Sequence, residues 1–238
     1  MVYNLVSAKN VTANALFKHV DYHDAGLLRR LVHGSFMTEV YLTVMTAGNR
    51  MVFIEYDAKR AVFLKVGVND TNLVAYKMPV SVSVDDATVT LEDRKATVKT
   101  AEWVLTITSK FKAGIVAAGN TCADGKCFLE VQISPLTDVS KMPVKPHGLI
   151  GQTYDGDGVA VMGKMDEYKT RDNVVTTSAM GEGAIEGDAS DYEMPSKFAT
   201  NFKFSRFGLA SAKSRDVSKL TGKKAKLAGD AKSAGAAE

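Results

Sequence analysis

Pro146-His147-Gly148-Leu149-Ile150-Gly151-Gln152-Thr153-Tyr154-Asp155-Gly156-Asp157 is the stretch from which the chain is read. Two glycines, Gly148 and Gly151, bracket an apolar pair, Leu149 and Ile150. Glycine stands where a backbone must turn with positive φ or approach another backbone closely. The apolar pair can anchor such a turn in a core. The expectation is a tight buried corner that projects a carboxylate-bearing loop, with His147 capping or orienting backbone beside it.

Outward from the corner, the chain reads as β structure. Strands are expected near Tyr3 to Val6 and Val11 to Lys18. Leu27, Leu28, Leu31 and Val32 sit at helical spacing, and a strand through Leu31 to Met37 competes with that helix. From Ser35 onward, short β-branched runs recur at roughly ten-residue spacing with turns between them, the mark of a sandwich or barrel. The runs are Met37 to Val44, Met51 to Tyr56, Ala61 to Val68, Val80 to Val84, Ala87 to Leu91, Ala96 to Thr100, Glu102 to Phe111, Ala113 to Ala118 and Cys127 to Ile133. Residues 158–195 are rich in Gly, Met, Ala and acids and read as a long irregular excursion. Asn201 to Phe207, with Phe202 and Phe204 two apart, reads as the closing strand, both rings facing one core.

Four segments in order resemble the von Willebrand factor type D-like family, in its cysteine-poor branches: plant root-cap proteins and the C-terminal domain of inter-alpha-trypsin inhibitor heavy chains. They are the corner itself, Asn10-Val-Thr-Ala-Asn-Ala-Leu-Phe17, Cys127-Phe-Leu-Glu-Val131, and Phe198-Ala-Thr-Asn-Phe-Lys-Phe-Ser-Arg-Phe-Gly208. The resemblance implies an all-β, antiparallel β-sandwich over residues 1–209, with a long irregular loop region. It also implies an extracellular, wall or matrix setting. The family's closing cysteine position holds Phe202, and Ile150 stands where a framework cysteine would, so the thiol-exchange chemistry of true D domains is not implied.

Composition bounds the function. The chain has 238 residues, is 45% hydrophobic and carries a net charge of only +3, which gives no general case for nucleic acid. No run approaches the roughly 18 apolar residues of a membrane span. The N-terminus lacks the basic and apolar regions of a signal peptide. It therefore reads either as an intracellular protein or as a mature form or fragment from the secretory pathway. The family's usual opening strands are missing, which favours a fragment or a late-starting member. Residues 210–238 form a basic Ala/Gly/Lys-rich tail. Over 212–238, seven basic and three acidic residues leave a surplus of four, so the body lies near −1. Such a segment buries too little surface to offset its chain entropy and reads as disordered or weakly helical. Lys219, Lys223, Lys224 and Lys226 surround Leu220 and Leu227, suiting it to an anionic surface.

Candidate chemistry is sparse. Asp155, Asp157 and Asp166, with Glu167, gather hard oxygen ligands of the kind calcium takes, six to eight at a time. Some type D domains bind calcium just after this corner, so the resemblance implies the same ion; otherwise no cofactor is expected. Cys122 and Cys127 flank an Asp-Gly turn that can bring two sulfurs within bridging distance, with two free thiols as the alternative. Asn10 and Asn69 open glycosylation sequons and would then have to lie on the surface. His19 and His23 are four apart but lack a third ligand at zinc spacing, and read as surface histidines. There is no Gly-x-Ser-x-Gly elbow, His-Glu-x-x-His or phosphate loop. The sequence reading is a non-enzymatic structural or adhesive module with a protein or polysaccharide partner. The competing reading is a metal-dependent hydrolase or isomerase using Asp155, Asp157 and His147.

Overall fold

The structure is a computed structural model and describes residues 1–23, 31–111, 127–155, 174–176 and 185–210; side chains of 20–23, 31–34 and 174–176 are not described. It is an all-β sandwich of two antiparallel sheets. The first is an up-and-down meander of β1 (Val2–Ser7), β2 (Val11–His23), β3 (Leu31–Met45), β4 (Met51–Asp57), β5 (Phe63–Val68) and β6 (Val74–Lys77). The second is another meander, β7 (Val80–Val84), β8 (Ala87–Glu92), β9 (Lys95–Lys99), β10 (Trp103–Phe111) and β11 (Cys127–Pro135). A short strand, β12 (Val174–Thr176), runs parallel to the first residues of β3, beyond the reach of β4.

Alternation explains the core. On β10, Trp103, Leu105 and Ile107 point inward and are buried, while Val104, Thr106 and Thr108 point outward. Successive strand side chains face opposite sides, so one face meets the facing sheet and the other does not. Leu5, Val11, Ala13, Val40, Leu42, Val52, Ile54 and Leu64 supply the first sheet's half of the same core.

The ends of the sandwich are tied by polar clamps between sheets. At one end Asp85 takes the Thr46 hydroxyl and an Arg50 guanidinium contact, and Asp86 accepts the Ala47 N–H at 2.7 Å. Arg50 first, then Thr46, hold the Asp85 carboxyl down at about 2. At the other end the Tyr56 hydroxyl, with one proton to share, lies within hydrogen-bonding distance of two carbonyls, those of Ala61 (2.9 Å) and Arg94 (2.8 Å).

The competition at Leu31 resolves as strand, because β2 extends to His23 and pairs Leu31 to Met37 along its whole length. Val74 to Lys77, with little alternation to announce it, pairs on β5 as an edge strand that the sequence reading does not contain. Asn201 to Phe207 is not a strand. Its backbone turns, with the Ser205 N–H donating to the Phe202 carbonyl, because it wraps the edge of β1 and has no ladder partner. Phe202 and Phe204 still pack in one cluster with Ile185 and Tyr192, Phe204 buried and Phe202 half-buried.

Candidate functional site

The corner is built on β1. Ser7 and His147 exchange backbone bonds of 2.6 and 2.8 Å, and the N–H groups of Leu149 and Ile150 donate to Asn4 and Leu5. Gly148 has φ +109°, and a Cβ there would lie 2.5 Å from Asn4 Oδ1 and 2.7 Å from the Leu5 carbonyl. No other residue fits that approach. Ile150 packs on the main core and Leu149 on the small cluster of Ile185, Tyr192 and Phe204. The corner is therefore a joint between two cores. Tyr154 carries it back to the second sheet: its hydroxyl donates to Ile133 O at 2.6 Å and its ring meets Trp103 edge-on.

Inside the joint sits a buried polar cluster. His147 is 1% exposed; its Nδ1 accepts the Gly148 N–H at 2.8 Å and its Nε2 lies 3.0 Å from Glu186 Oε2. Gln152 donates to Gly148 O (3.0 Å) and Tyr192 Oη (3.2 Å) and accepts from Glu186 N (3.0 Å). Tyr192 Oη donates to Glu186 O at 2.7 Å. The His147 ring stacks on Phe204 at 4.6 Å. Arg206 belongs to the same group. Burial pulls its guanidinium pKa down, opposed by the charge of Glu186.

Residues 193–208 then strap the outer face of the first sheet. Met194 N–H donates to Val2 O, Arg206 N–H to Ser7 Oγ and Gly208 N–H to Lys9 O. Asn14 Nδ2 donates to the carbonyls of Lys197 (3.0 Å) and Ala199 (2.8 Å). Phe198 meets the rings of Tyr41 and Phe53 edge-on at 5.6 and 5.4 Å. Lys197 lies between Glu39 (3.4 Å) and Glu55 (3.6 Å), with its ammonium 4.8 Å from the Tyr41 ring centroid. Burial first, then the hydrogen bond to Glu39, push the Tyr41 phenol far up. Burial also pushes Asp57 up, against the Lys59 N–H that lowers it.

The second sheet is different: among the described residues no segment straps its outer face, and only Phe128, near its β11 edge, meets a ring of the first sheet, that of Phe36. Register aligns Ser81, Thr90, Thr97, Thr106 and Gln132 in one row across all five strands. Beside it run Ser83, Thr88, Lys99, Val104 and Ser134. Neighbours in a row stand about 4.8 Å apart and rows about 6.8 Å apart. Lys95 and Lys99 on β9, the central strand, are exposed and have no ion-pair partner among the described residues. A shallow cavity of about 310 Å³ lies at one end of the first row, lined by Pro79, Val80, Ser81, Thr90, Leu91 and Glu92.

The expected residues divide unevenly between these regions. The corner residues Gly148, Leu149, Ile150 and Gly151 and the orienting His147 lie in the joint. Asp155 is buried (4% exposed) in place of projecting from a loop, because it ends the short 3-10 turn Gly151–Tyr154 against the sandwich. Asp157, Asp166 and Glu167 lie outside the described residues, so the calcium set is not assembled on the page. Among the described residues no three His, Cys, Asp or Glu gather into a metal-holding group. Cys127 opens β11 with its sulfur 3.9 Å from Arg94 Nη2. Its expected partner Cys122 lies outside the described residues, as do Ala113 to Ala118 and the tail from 211. Asn69 is exposed and Asn10 half-buried. His19 is exposed on β2, and the side chain of His23 is not described.

Glu186, Gln152, Tyr192 and Arg206 were not singled out by the sequence reading. Their signal was proximity to the corner and the Arg-Phe-Gly motif, which carries no information about which segment they meet. The two-fold alternation of Ser and Thr with Val, Leu and Ile announced strands but not their alignment into rows.

The fold and site define an all-β sandwich whose first sheet is strapped and whose second sheet, among the described residues, is not. Comparison with protein-family models, curated proteins and solved structures finds no match to this chain.

Proposed function

We propose that the chain is a non-enzymatic adhesive module of the von Willebrand type D-like kind, and that it holds an extended polysaccharide strand on the outer face of the second sheet. The observation that carries this is the row Ser81–Thr90–Thr97–Thr106–Gln132, a repeating set of donors and acceptors on an outer face that no described segment straps. A sugar chain offers hydroxyls along its length, and each side-chain hydroxyl can both donate and accept. Lys95 and Lys99 stand on either side of Thr97 and give carboxylated sugars an ionic partner, a contribution that salt would weaken.

Two observations support the family reading. Asn14 from the Asn10–Phe17 segment bonds Ala199 from the Phe198–Gly208 segment, and Arg206 from the latter joins the corner's cluster. Segments that carry the resemblance thus meet in space. The non-enzymatic reading is supported by the use of His147, whose ring nitrogens are taken up by Gly148 and Glu186 inside the joint. The setting implied by the family is extracellular, and the basic tail would add contact with an anionic surface. Calcium at Asp155, Asp157 and Asp166 stays part of this proposal.

Affinity electrophoresis through gels containing polygalacturonate or a soluble β-glucan tests the face. Retardation should be lost in Thr97→Val/Thr106→Val, which keeps the β-branched shape and the charge of the outer face and removes two of the row's hydroxyls. Lys99→Glu should weaken only the polygalacturonate response. Absence of retardation in both gels, or retardation unchanged in the double variant, overturns this assignment.

A further inference from the structure

We propose that β7, a free edge of the second sheet, pairs with β7 of a second copy of this chain, antiparallel about a two-fold axis at Val82. Among the described residues the four sheet edges are not alike. Residues 193–208 cover β1, with bridges Tyr3–Glu193 and Ser7–His147 beside it. β6 ends in the exposed Lys77, and β11 carries the exposed Glu130 and ends at Pro135. Charges and prolines are the means by which sheets guard an edge against further pairing. β7 has neither over its five residues and is paired on one side only, by β8. Its sequence, Val80-Ser81-Val82-Ser83-Val84, also reads the same in both directions, so an antiparallel copy meets it like on like.

Two hairpins fix the backbone groups at this edge. Residues flanking a two-residue turn exchange the first ladder bonds, and bonded pairs then alternate with unbonded ones. The Asp85-Asp86 turn makes Val84–Ala87, Val82–Val89 and Val80–Leu91 the bonded pairs of β7 and β8. The Asp93-Arg94 turn gives Glu92, Thr90 and Thr88 to β9, which leaves the same three β8 residues for β7. Ser81 and Ser83 therefore turn their N–H and C=O groups away from β8, toward the open edge. With Ser81 opposite Ser83 of the second copy, every one of these groups is paired in both chains. Neighbouring registers fall short. One sets Ser83 against Pro79, which has no N–H, and the other sets Ser81 against Asp85 in the turn, at φ 52°.

Side chains and charge agree with that register. Val80 and Val82 are half-buried against the core, and the axis sets Val82 on its own copy and Val80 opposite Val84, on the enclosed side of the sheet. Ser81 and Ser83 are exposed and meet on the outer side. The strand is neutral, with exposed Lys77 before it and exposed Asp86 after it. Antiparallel pairing brings the basic end of one copy toward the acidic end of the other, whereas parallel pairing sets like ends together. A contact of this kind uses one patch twice and closes at two copies. It is small, so the association is weak. The row Gln132–Thr106–Thr97–Thr90–Ser81 continues into Ser83–Thr88–Lys99–Val104–Ser134 of the second copy, about 43 Å across ten strands. A sugar strand held along that length rests on the function proposed above; the pairing does not.

Sedimentation velocity of the full chain, without saccharide and from about 2 to about 500 µM, tests it. The protein should pass from monomer to dimer across that range, with no larger species. Ser81→Lys/Ser83→Lys sets like charges directly opposite at both serine pairs, at positions that are exposed in the single chain. It should weaken dimerisation about tenfold or more and leave the urea midpoint unchanged. Cysteine cross-linking supplies the second reading, should that variant not fold. Val82→Cys, on the axis, should form a disulfide-linked dimer on oxidation beyond any that Cys122 and Cys127 give in the unaltered protein, while Ser81→Cys, off the axis, should not. A chain still monomeric at about 500 µM overturns the proposal. So does unchanged dimerisation in the folded double variant, or equal cross-linking at the two cysteine positions. No saccharide enters these measurements, so their outcome is separate from that of the gels.

Discussion

The two sheets are both antiparallel meanders, yet among the described residues a later segment covers the outer face of the first sheet at β2 to β4 and none straps the second. On β3, Val40, Tyr41, Leu42, Thr43 and Val44 are all buried in succession. On β10, buried Trp103, Leu105 and Ile107 alternate with partly exposed Val104, Thr106 and Thr108. The difference lies less in the strands than in what covers them. The strap over β3 comes from more than 150 positions later, as the bond between Thr43 and Phe198 (155 apart) shows. Local pattern sets which side of a strand is apolar; a distant segment decides whether the other side sees water.

Substitutions on the two outer faces should therefore differ sharply. Tyr41→Ala removes a fully buried ring that Phe198 and Lys197 cover, and should cost about 3–5 kcal/mol in urea unfolding. A cost under about 1 kcal/mol would mean that the strap does not bury the first sheet. Next in size, Gly148→Ala should cost about 3 kcal/mol, since it combines positive φ with contacts below 3 Å. Gly208 also has positive φ (+74°) but open space around it, so Gly208→Ala should cost only about 1 kcal/mol. Equal effects would show that backbone strain alone, without the close approach to β1, sets the corner's importance.

Smaller effects sharpen the contrast at the second sheet. A Cys122–Cys127 bridge closes so short a loop that reducing it should cost roughly 2 kcal/mol or less, and intact mass before and after alkylation decides whether it exists. Asp85, held at about 2 by Arg50 and Thr46, contributes stability present above its unfolded value and lost as pH falls through about 2. Asp85→Asn should flatten the acid limb of a stability-versus-pH curve; an unchanged limb would locate the acid sensitivity elsewhere. Smallest of all, Thr106→Ala on the unstrapped face should stay within about 0.5 kcal/mol.

Much of the sandwich was legible in the sequence. Val80 to Val84 and Ala87 to Leu91 alternate cleanly because one side meets the core and the other meets solvent. Edge strand Val74 to Lys77 was not, because only its Tyr76 packs on the core and pairing with β5 defines it. Phe202 and Phe204 mimicked strand alternation, yet the pair serves a small separate cluster reached through turns. The corner's backbone demand was visible in Gly148, since glycine spacing reports local geometry. Glu186 was not visible as its partner: 39 positions separate it from His147, and nothing local encodes that meeting.

Arg206 donates to Ser7 across 199 positions, and this sets a clock on synthesis. At the roughly 5–20 residues added per second by ribosomes, β1 waits about 10–40 s between its own emergence and that of the segment that completes its edge. Each meander can zip locally as it is made, strand upon neighbouring strand. The open edge of β1 and the outer face of β2 to β4 stay uncovered for that interval. A nascent chain of this protein is thus most exposed to wrong strand pairing at its beginning, and the cure arrives near its end.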